Sequence, residues 1–386
     1  MNSCSLPASI DDRLARNLEQ VERECRNCTS CVSRCAFLKR YGCPSAIARK
    51  ILAGEFPLEK AFACSLCRLC SASCKHQADP HELFLEMRRA CVRQGHGLHP
   101  EHNDLTAFEK AGTSRQLTWA GLPTGSRKVF FPGCTLSGSR PAAVRNVFEL
   151  LQQQYPGVGI VLDCCTKPSH DLGRDRTFRS LFGELRGWLI DAGVEEILTA
   201  CPSCQQVFEQ YGAGLKVRSV YEALLDAPQR LPRISTPGPV KIHDPCSVRF
   251  SRSTQQAVRE MCTLMGLEIN EMPHHRTATL CCGKGGGAHR YAPSIAATWL
   301  ETLNGDVGFK TVVTYCSSCQ ARFQEAFKAS HLLDFLTHPE QAVKGEIKPP
   351  AATLFHINRL RLKHYFRRNL ETDRKRERDI AYPQPG

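Results

Sequence analysis

Before residue 95 the apolar positions recur at helical spacing. Residues 45–54 and 80–94 read as helices, the second with Pro80 suited to a first turn and Leu83, Met87 and Cys91 four residues apart. Residues 95–127 lose this regularity to His, Gly, Pro, Thr and Ser, and read as a linker. From residue 128 short apolar runs alternate with helix-like segments, and the alternation occurs twice. The first copy passes through strand-like 129–134, helix-like 141–154, strand-like 159–165, helix-like 176–192 and strand-like 196–204. The second repeats that order at 240–246, 254–266, 277–282, 292–303 and 310–319. Thr199-Ala200-Cys201-Pro202-Ser203-Cys204-Gln205 aligns with Thr314-Tyr315-Cys316-Ser317-Ser318-Cys319-Gln320, so two homologous modules are expected. Strand–helix–strand order at these lengths predicts parallel α/β units. Each cysteine group falls at the carboxyl end of a predicted strand, where open α/β sheets place ligands.

Cysteine spacing changes the picture from fold to chemistry. The helical first unit carries Cys25, Cys28, Cys31 and Cys35, then Cys64, Cys67, Cys70 and Cys74, with identical intervals in both runs. Three closely spaced thiolates wrap one face of a cubane cluster, and in this bacterial ferredoxin spacing the fourth ligand comes from the other run. The expected sets are therefore Cys25, Cys28, Cys31 and Cys74 for one 4Fe-4S cluster, and Cys64, Cys67, Cys70 and Cys35 for the other. Structural zinc also accepts Cys-x2-Cys pairs but does not ask for three thiolates in a tight run. Ala36 and Lys75 stand where proline follows the fourth cysteine in that pattern, and Cys43-Pro44 makes Cys43 an alternative to Cys35.

Each later module supplies five cysteines in one order: a single residue, an adjacent pair, then a Cys-x2-Cys. These are Cys134, Cys164, Cys165, Cys201 and Cys204, then Cys246, Cys281, Cys282, Cys316 and Cys319. Adjacent cysteines are poor disulfide partners, because neighbouring Cα atoms lie about 3.8 Å apart while disulfides prefer roughly 4.4–6.8 Å. Both thiols of a pair reach one object only where the strand ends and the backbone bends. Five thiols per module is one more than a single cube needs.

Twenty-two cysteines in 386 residues would suggest a disulfide framework in a secreted protein. The first residues, however, show no basic segment followed by an apolar run, Cys4 lacks the apolar stretch of a lipoprotein signal, and no run approaches a membrane span. A reducing cytoplasm is expected. The formal charge of +13 invites a nucleic-acid reading, but it counts thiols as neutral, and a cube with four thiolates carries about −2. No nucleic-acid-binding motif accompanies the charge. Much of it lies at the end of the chain, in Arg359, Arg361, Lys363, Arg367, Arg368, Arg374, Lys375, Arg376 and Arg378, with Phe355, Leu362, Phe366 and Leu370 at helical spacing. Docking on the inner face of an anionic membrane and packing on the protein's own domain are both open for this segment.

The paired five-cysteine pattern resembles the cysteine-rich, or CCG, domains of the heterodisulfide reductases, and with the cluster-binding unit in front the chain is similar to the fused type, in which a ferredoxin-like unit precedes the CCG pair. The resemblance implies an α+β multidomain protein: a helical ferredoxin-like domain (1–94), the linker (95–127), CCG modules at 128–235 and 236–350, and a basic amphipathic extension (351–386). It implies up to two noncubane 4Fe-4S clusters beside the two cubanes, each held by one set of five thiolates, with a disulfide cleaved reductively between them. Related chains serve as electron-transfer subunits in flavin-linked 2-hydroxy acid or glycerol-3-phosphate oxidation. A flavoprotein or a membrane cytochrome or quinone protein is the expected electron partner, since no flavin or nicotinamide fingerprint is present. Thr166 follows Cys165 where Gly283 follows Cys282, which separates the first module from the family pattern. No catalytic residue stands out; His170, His243, His275 and Lys284 are candidates to protonate a product thiolate. The loop Gly283–Gly287 lacks the order of a phosphate loop and is expected to bring backbone N–H groups to cluster sulfurs. Cys91 and Cys262 occupy apolar-periodic positions and read as buried small hydrophobes.

Overall fold

The computed structural model describes residues 10–97, 99–235, 238–308 and 310–383; Cys4 lies outside them. The N-terminal unit is helical. Asp12–Glu24 starts where Asp11 accepts from the backbone N–H of Arg13 and Leu14, and it buries Leu14, Leu18 and Val21. It packs against the helices Pro44–Leu52 and Pro80–Arg93, both with proline in the first turn, where its missing N–H costs nothing.

Among the described residues, ten strands form two sheets. The first contains β1 (Trp119–Leu122), β2 (Lys128–Phe131), β3 (Gly159–Leu162), β4 (Glu196–Thr199), β5 (Lys216–Ser219) and β10 (Arg374–Arg376) in the order β10-β1-β3-β2-β4-β5. The second contains β6 (Pro239–His243), β7 (Glu268–Ile269), β8 (Thr311–Thr314) and β9 (Ala329–His331) in the order β7-β6-β8-β9. The parallel cores β3-β2-β4-β5 and β7-β6-β8-β9 share one topology, so the duplication seen in the cysteines holds for the strands. β2, β3 and β4 are buried along their length apart from Lys128, as strands covered on both faces must be.

Two expectations need correction, and one open alternative is decided. Residues 95–127 are not a bare linker: Asn103–Gly112 is a helix, and β1 pairs antiparallel with β3 through Ala120↔Val161. Residues 277–282 are not a strand. Pro273 interrupts the segment after the short edge strand β7, and Arg276–Ala278 forms a single 3₁₀ turn, so Cys281 and Cys282 arrive on irregular chain. The basic C-terminal segment is built into the first module. Helix Ala352–Asn369 packs on the short helix Cys134–Ser139, Leu362 and Phe366 enter the core, and β10 extends the first sheet beside β1.

The units are locked together by buried charge. Arg140 of the first module donates to Asp334 of the second at 2.7 and 3.1 Å. Arg88, fully buried, donates to the carbonyls of Ala61, Phe62 and Cys64 in its own unit, of Asp171 in the first module and of Gly286 in the second. Five accepted hydrogen bonds explain how an arginine can lie where water cannot reach it.

Candidate metal centres and the cavity between the modules

The two cysteine runs of the helical unit share a backbone device. Asn27 and Thr29 flank Cys28 with φ of 55° and 57°, and Leu66 and Arg68 flank Cys67 with φ of 48° and 59°. Left-handed backbone on both sides of the middle cysteine is rare for residues other than glycine and turns three successive thiols toward one side. One cavity is lined by Cys64, Cys67, Cys70 and Cys35; a second is lined by Cys25, Cys28, Cys31 and Cys74, with Cys43 beside them. Cys43 donates to Asn27 Oδ1 at 2.6 Å, while Cys35 faces the other cavity.

Electrostatics reports the same grouping. Burial pushes the Cys70 thiol well above its usual range, and the nearby Cys35, Cys64 and Cys67 add to the rise. Burial likewise raises Cys31 to about 11, with Cys25, Cys74 and Cys28 contributing. Crowded buried thiols of this kind ionise only with a positive partner, which cluster iron provides. Every cysteine among the described residues is a free thiol, and no three His, Cys, Asp or Glu side chains among them close on a single ion.

The modules meet around a larger cavity of about 310 Å³. Cys134, Cys164, Cys165, Cys201 and Cys204 line it from one side and Cys246, Cys282, Cys316 and Cys319 from the other. The missing tenth cysteine, Cys281, faces the helical unit, where contact with its thiol drives Cys67 well above the usual range. Cys282 and Cys319 lie 3.2 Å apart, Sγ to Sγ. The donor set suits a polynuclear sulfur-ligated centre: clustered, buried or half-buried, unbridged thiols after β2, β3, β4, β6 and β8, with Cys282 on the irregular chain before Gly283.

Glycine sets two close approaches. Gly133, at φ 83°, precedes Cys134, and a Cβ there would meet Cys204 Sγ at 3.0 Å and Cys201 Cβ at 2.9 Å. Gly285 lies so near the Cys64–Cys70 run that a Cβ would meet the Ser65 carbonyl oxygen at 2.2 Å. The glycine-rich loop thus presses the second module onto the Cys64–Cys70 run, and it also donates to sulfur, from Gly283 N to Cys281 Sγ at 3.3 Å. Thr166, the departure from the family pattern, adopts the glycine-like φ of 55° where Gly283 has 89°. It is fully buried and donates to the Cys165 carbonyl at 2.8 Å.

His170, His243 and His275 do not line the cavity. His170 is held between Asp171 and Tyr211 at 2.8 Å each, His243 contacts the Leu280 carbonyl, and His275 that of Met272. Lys284 does line it, together with Lys167, His289, Arg290 and His331, which sequence reasoning missed because nothing in their spacing marks them. Lys167 is paired with Asp171 at 2.9 Å, and Arg290 with Asp104.

Residues 128–209 and 240–324 each match the cysteine-rich domain family CCG. The chain carries a pair of CCG domains. Similar proteins include a subunit of the fumarate reductase (CoM/CoB) of Methanothermobacter marburgensis, 25% identical over 81% of this chain and 69% of that protein. The EtfAB:quinone oxidoreductase of Syntrophomonas wolfei is 23% identical over 70% of this chain, which spans only 44% of that relative. A solved putative Asp/Glu racemase from Yersinia pestis aligns over 62% of this chain and 98% of its own at 12% identity, with a TM-score of 0.27. The paired CCG domains and these relatives support an iron–sulfur electron-transfer oxidoreductase subunit of heterodisulfide-reductase-like type.

Proposed function

We propose that the chain passes electrons from an external partner through two cubane clusters in the helical unit to a centre in each CCG module, and that a disulfide is reduced in the cavity between the modules. Cys25, Cys28, Cys31 and Cys74 would hold one cubane, and Cys35, Cys64, Cys67 and Cys70 the other. The two sets of five, from Cys134 to Cys204 and from Cys246 to Cys319, would hold the module centres, which supply single electrons when bound.

The observation that carries this reading is the convergence of nine CCG cysteines, from both modules, on one cavity. Two electron-delivering sites can act on one substrate only if they share a space with it. Contact between the Cys67 and Cys281 thiols supplies the link from the helical unit to the second module. Reduction of one disulfide consumes two electrons and two protons and yields two thiols. The backbone N–H of Lys284 donates to the Cys282 thiol, while its side chain forms no hydrogen bond or ion pair among the described residues and faces the cavity, so its ammonium can donate a proton to a departing thiolate sulfur and recover it from solvent.

Anaerobic assay of the purified chain with a reduced viologen dye and a panel of small disulfides tests the proposal. Thiol formation at one mole of disulfide per two moles of oxidised dye supports it. Dye oxidation that needs a flavoprotein partner and ignores every disulfide would favour the other reading, a wire to a flavin-linked enzyme, which the likeness to an EtfAB:quinone oxidoreductase motivates.

A further inference from the structure

The C-terminal extension carries a second element of the first centre. Arg359 projects from helix Ala352–Asn369 into the protein and is 3% exposed. Its Nη2 donates to the carbonyls of Gly112 at 3.0 Å and Leu117 at 3.4 Å, while Nη1 is buried with no hydrogen-bond partner among the described residues. A methyl group placed on Gly112 would lie 3.1 Å from that Nη1 and 3.9 Å from Cys164 Sγ, so the guanidinium and the thiol both border the space that Gly112 leaves free. A buried charged donor without an acceptor is uncommon and costly. The thiols on its open side are the ones a cluster would occupy.

The geometry points to Arg359 as a positioning residue that directs its free N–H and its positive charge at the iron–sulfur centre of the first CCG module and raises that centre's reduction potential. The inference rests on the proposed function only in taking that module to hold such a centre. A fixed cation in a low-dielectric interior stabilises the form carrying one more electron, and hydrogen bonds to cluster sulfur act in the same direction. Cys67 meets the other module, so the cation stands at the far end of the route and favours the electron there.

The test is an EPR-monitored redox titration of the anaerobically purified full chain as wild type, Arg359→Met and Arg359→Lys, each also in a Cys282→Ala background to isolate the first module's signal. Iron and sulfide are measured alongside. The expected result is unchanged iron and a midpoint lower in Arg359→Met by at least a tenfold change in the one-electron equilibrium, 59 mV. Arg359→Lys, which keeps the charge, should stay near wild type, and the second module's midpoint should not move. A first-module midpoint unchanged in Arg359→Met at full iron, or an equal shift in both modules, overturns the inference. If Arg359→Met does not fold, a wild-type-like midpoint in Arg359→Lys together with a lowered one in Arg359→Gln decides in its favour, and equal midpoints in those two decide against it. Absence of any first-module iron in wild type would instead overturn the proposed function, and is told apart by the metal analysis.

Discussion

Gly133 shows how one missing side chain sets the spacing of a site. Both its left-handed φ and the 3.0 Å approach to Cys204 Sγ forbid a Cβ. Gly133→Ala is therefore expected to push the Cys134 loop away from Cys201 and Cys204 and to lower the first module's iron while leaving the second module's intact; metal analysis of the variant in a Cys282→Ala background checks this. Glu109 is a residue of another kind. It is fully buried, accepting from Ser169 N at 2.8 Å and from the hydroxyls of Ser169 and Tyr382, and burial raises its carboxyl to about 6. A carboxyl whose pKa is raised on folding favours the folded state while protonated and loses that contribution as pH rises through the folded value. From about pH 3.5 to about pH 7 the loss should total about 2 kcal/mol, most of it between the ordinary and the folded values. Glu109→Gln should remove it, so the melting-temperature difference between variant and wild type should shift in favour of the variant across that window and then stay level. Neither feature is legible in the sequence. The cysteines announce themselves by spacing, whereas the left-handed Asn27, Thr29, Leu66 and Arg68 that aim them carry no sequence mark, since none is glycine.

Among elements, periodicity locates some long helices within about two residues: the spacing predicts 80–94 where Pro80–Arg93 is found, and 141–154 where Pro141–Gln154 is found, although Pro293–Val307 runs past the predicted 292–303 and Asp12–Glu24 is not predicted. It fails where tertiary pairing decides. β1 and β10 are short strands that exist because an open sheet edge beside β3 receives them, and a three-residue strand of Arg374, Lys375 and Arg376 has no apolar pattern to read. The C-terminal extension reads as one basic surface, but its cations divide. Arg359, Lys363 and Arg378 are buried with carbonyl or carboxylate partners, while Arg361, Arg367 and Arg368 face solvent. Arg378 pairs with Asp163 at 3.0 Å, and the same carboxylate accepts from Cys164 N at 2.7 Å, so the end of the chain braces a candidate ligand of the first centre. Arg378→Met would leave the buried Asp163 carboxylate only the more distant Arg376, 4.0 Å away, and should cost up to about 3 kcal/mol. The double variant with Asp163→Asn should recover part of that loss, which thermal melting of both chains would measure.

At the scale of the whole molecule, the duplication is legible in the sequence and its purpose is not. Cysteine order predicts two like modules, and the sheets share one topology; that the modules face each other across a cavity depends on Arg140, Asp334 and Arg88, which belong to no motif. Cys282 and Cys262 make the whole-molecule account testable within one module. Cys282 lines the cavity with its thiol 3.2 Å from that of Cys319, whereas Cys262 is buried in the apolar core among residues such as Val258 and Met261. The decisive measurement is iron per chain and disulfide-dependent dye oxidation in anaerobically purified Cys282→Ala and Cys262→Ala. The account predicts wild-type iron and rate for Cys262→Ala, and loss of one centre's iron with loss of turnover for Cys282→Ala. Equal iron and equal rates in the two variants would contradict it.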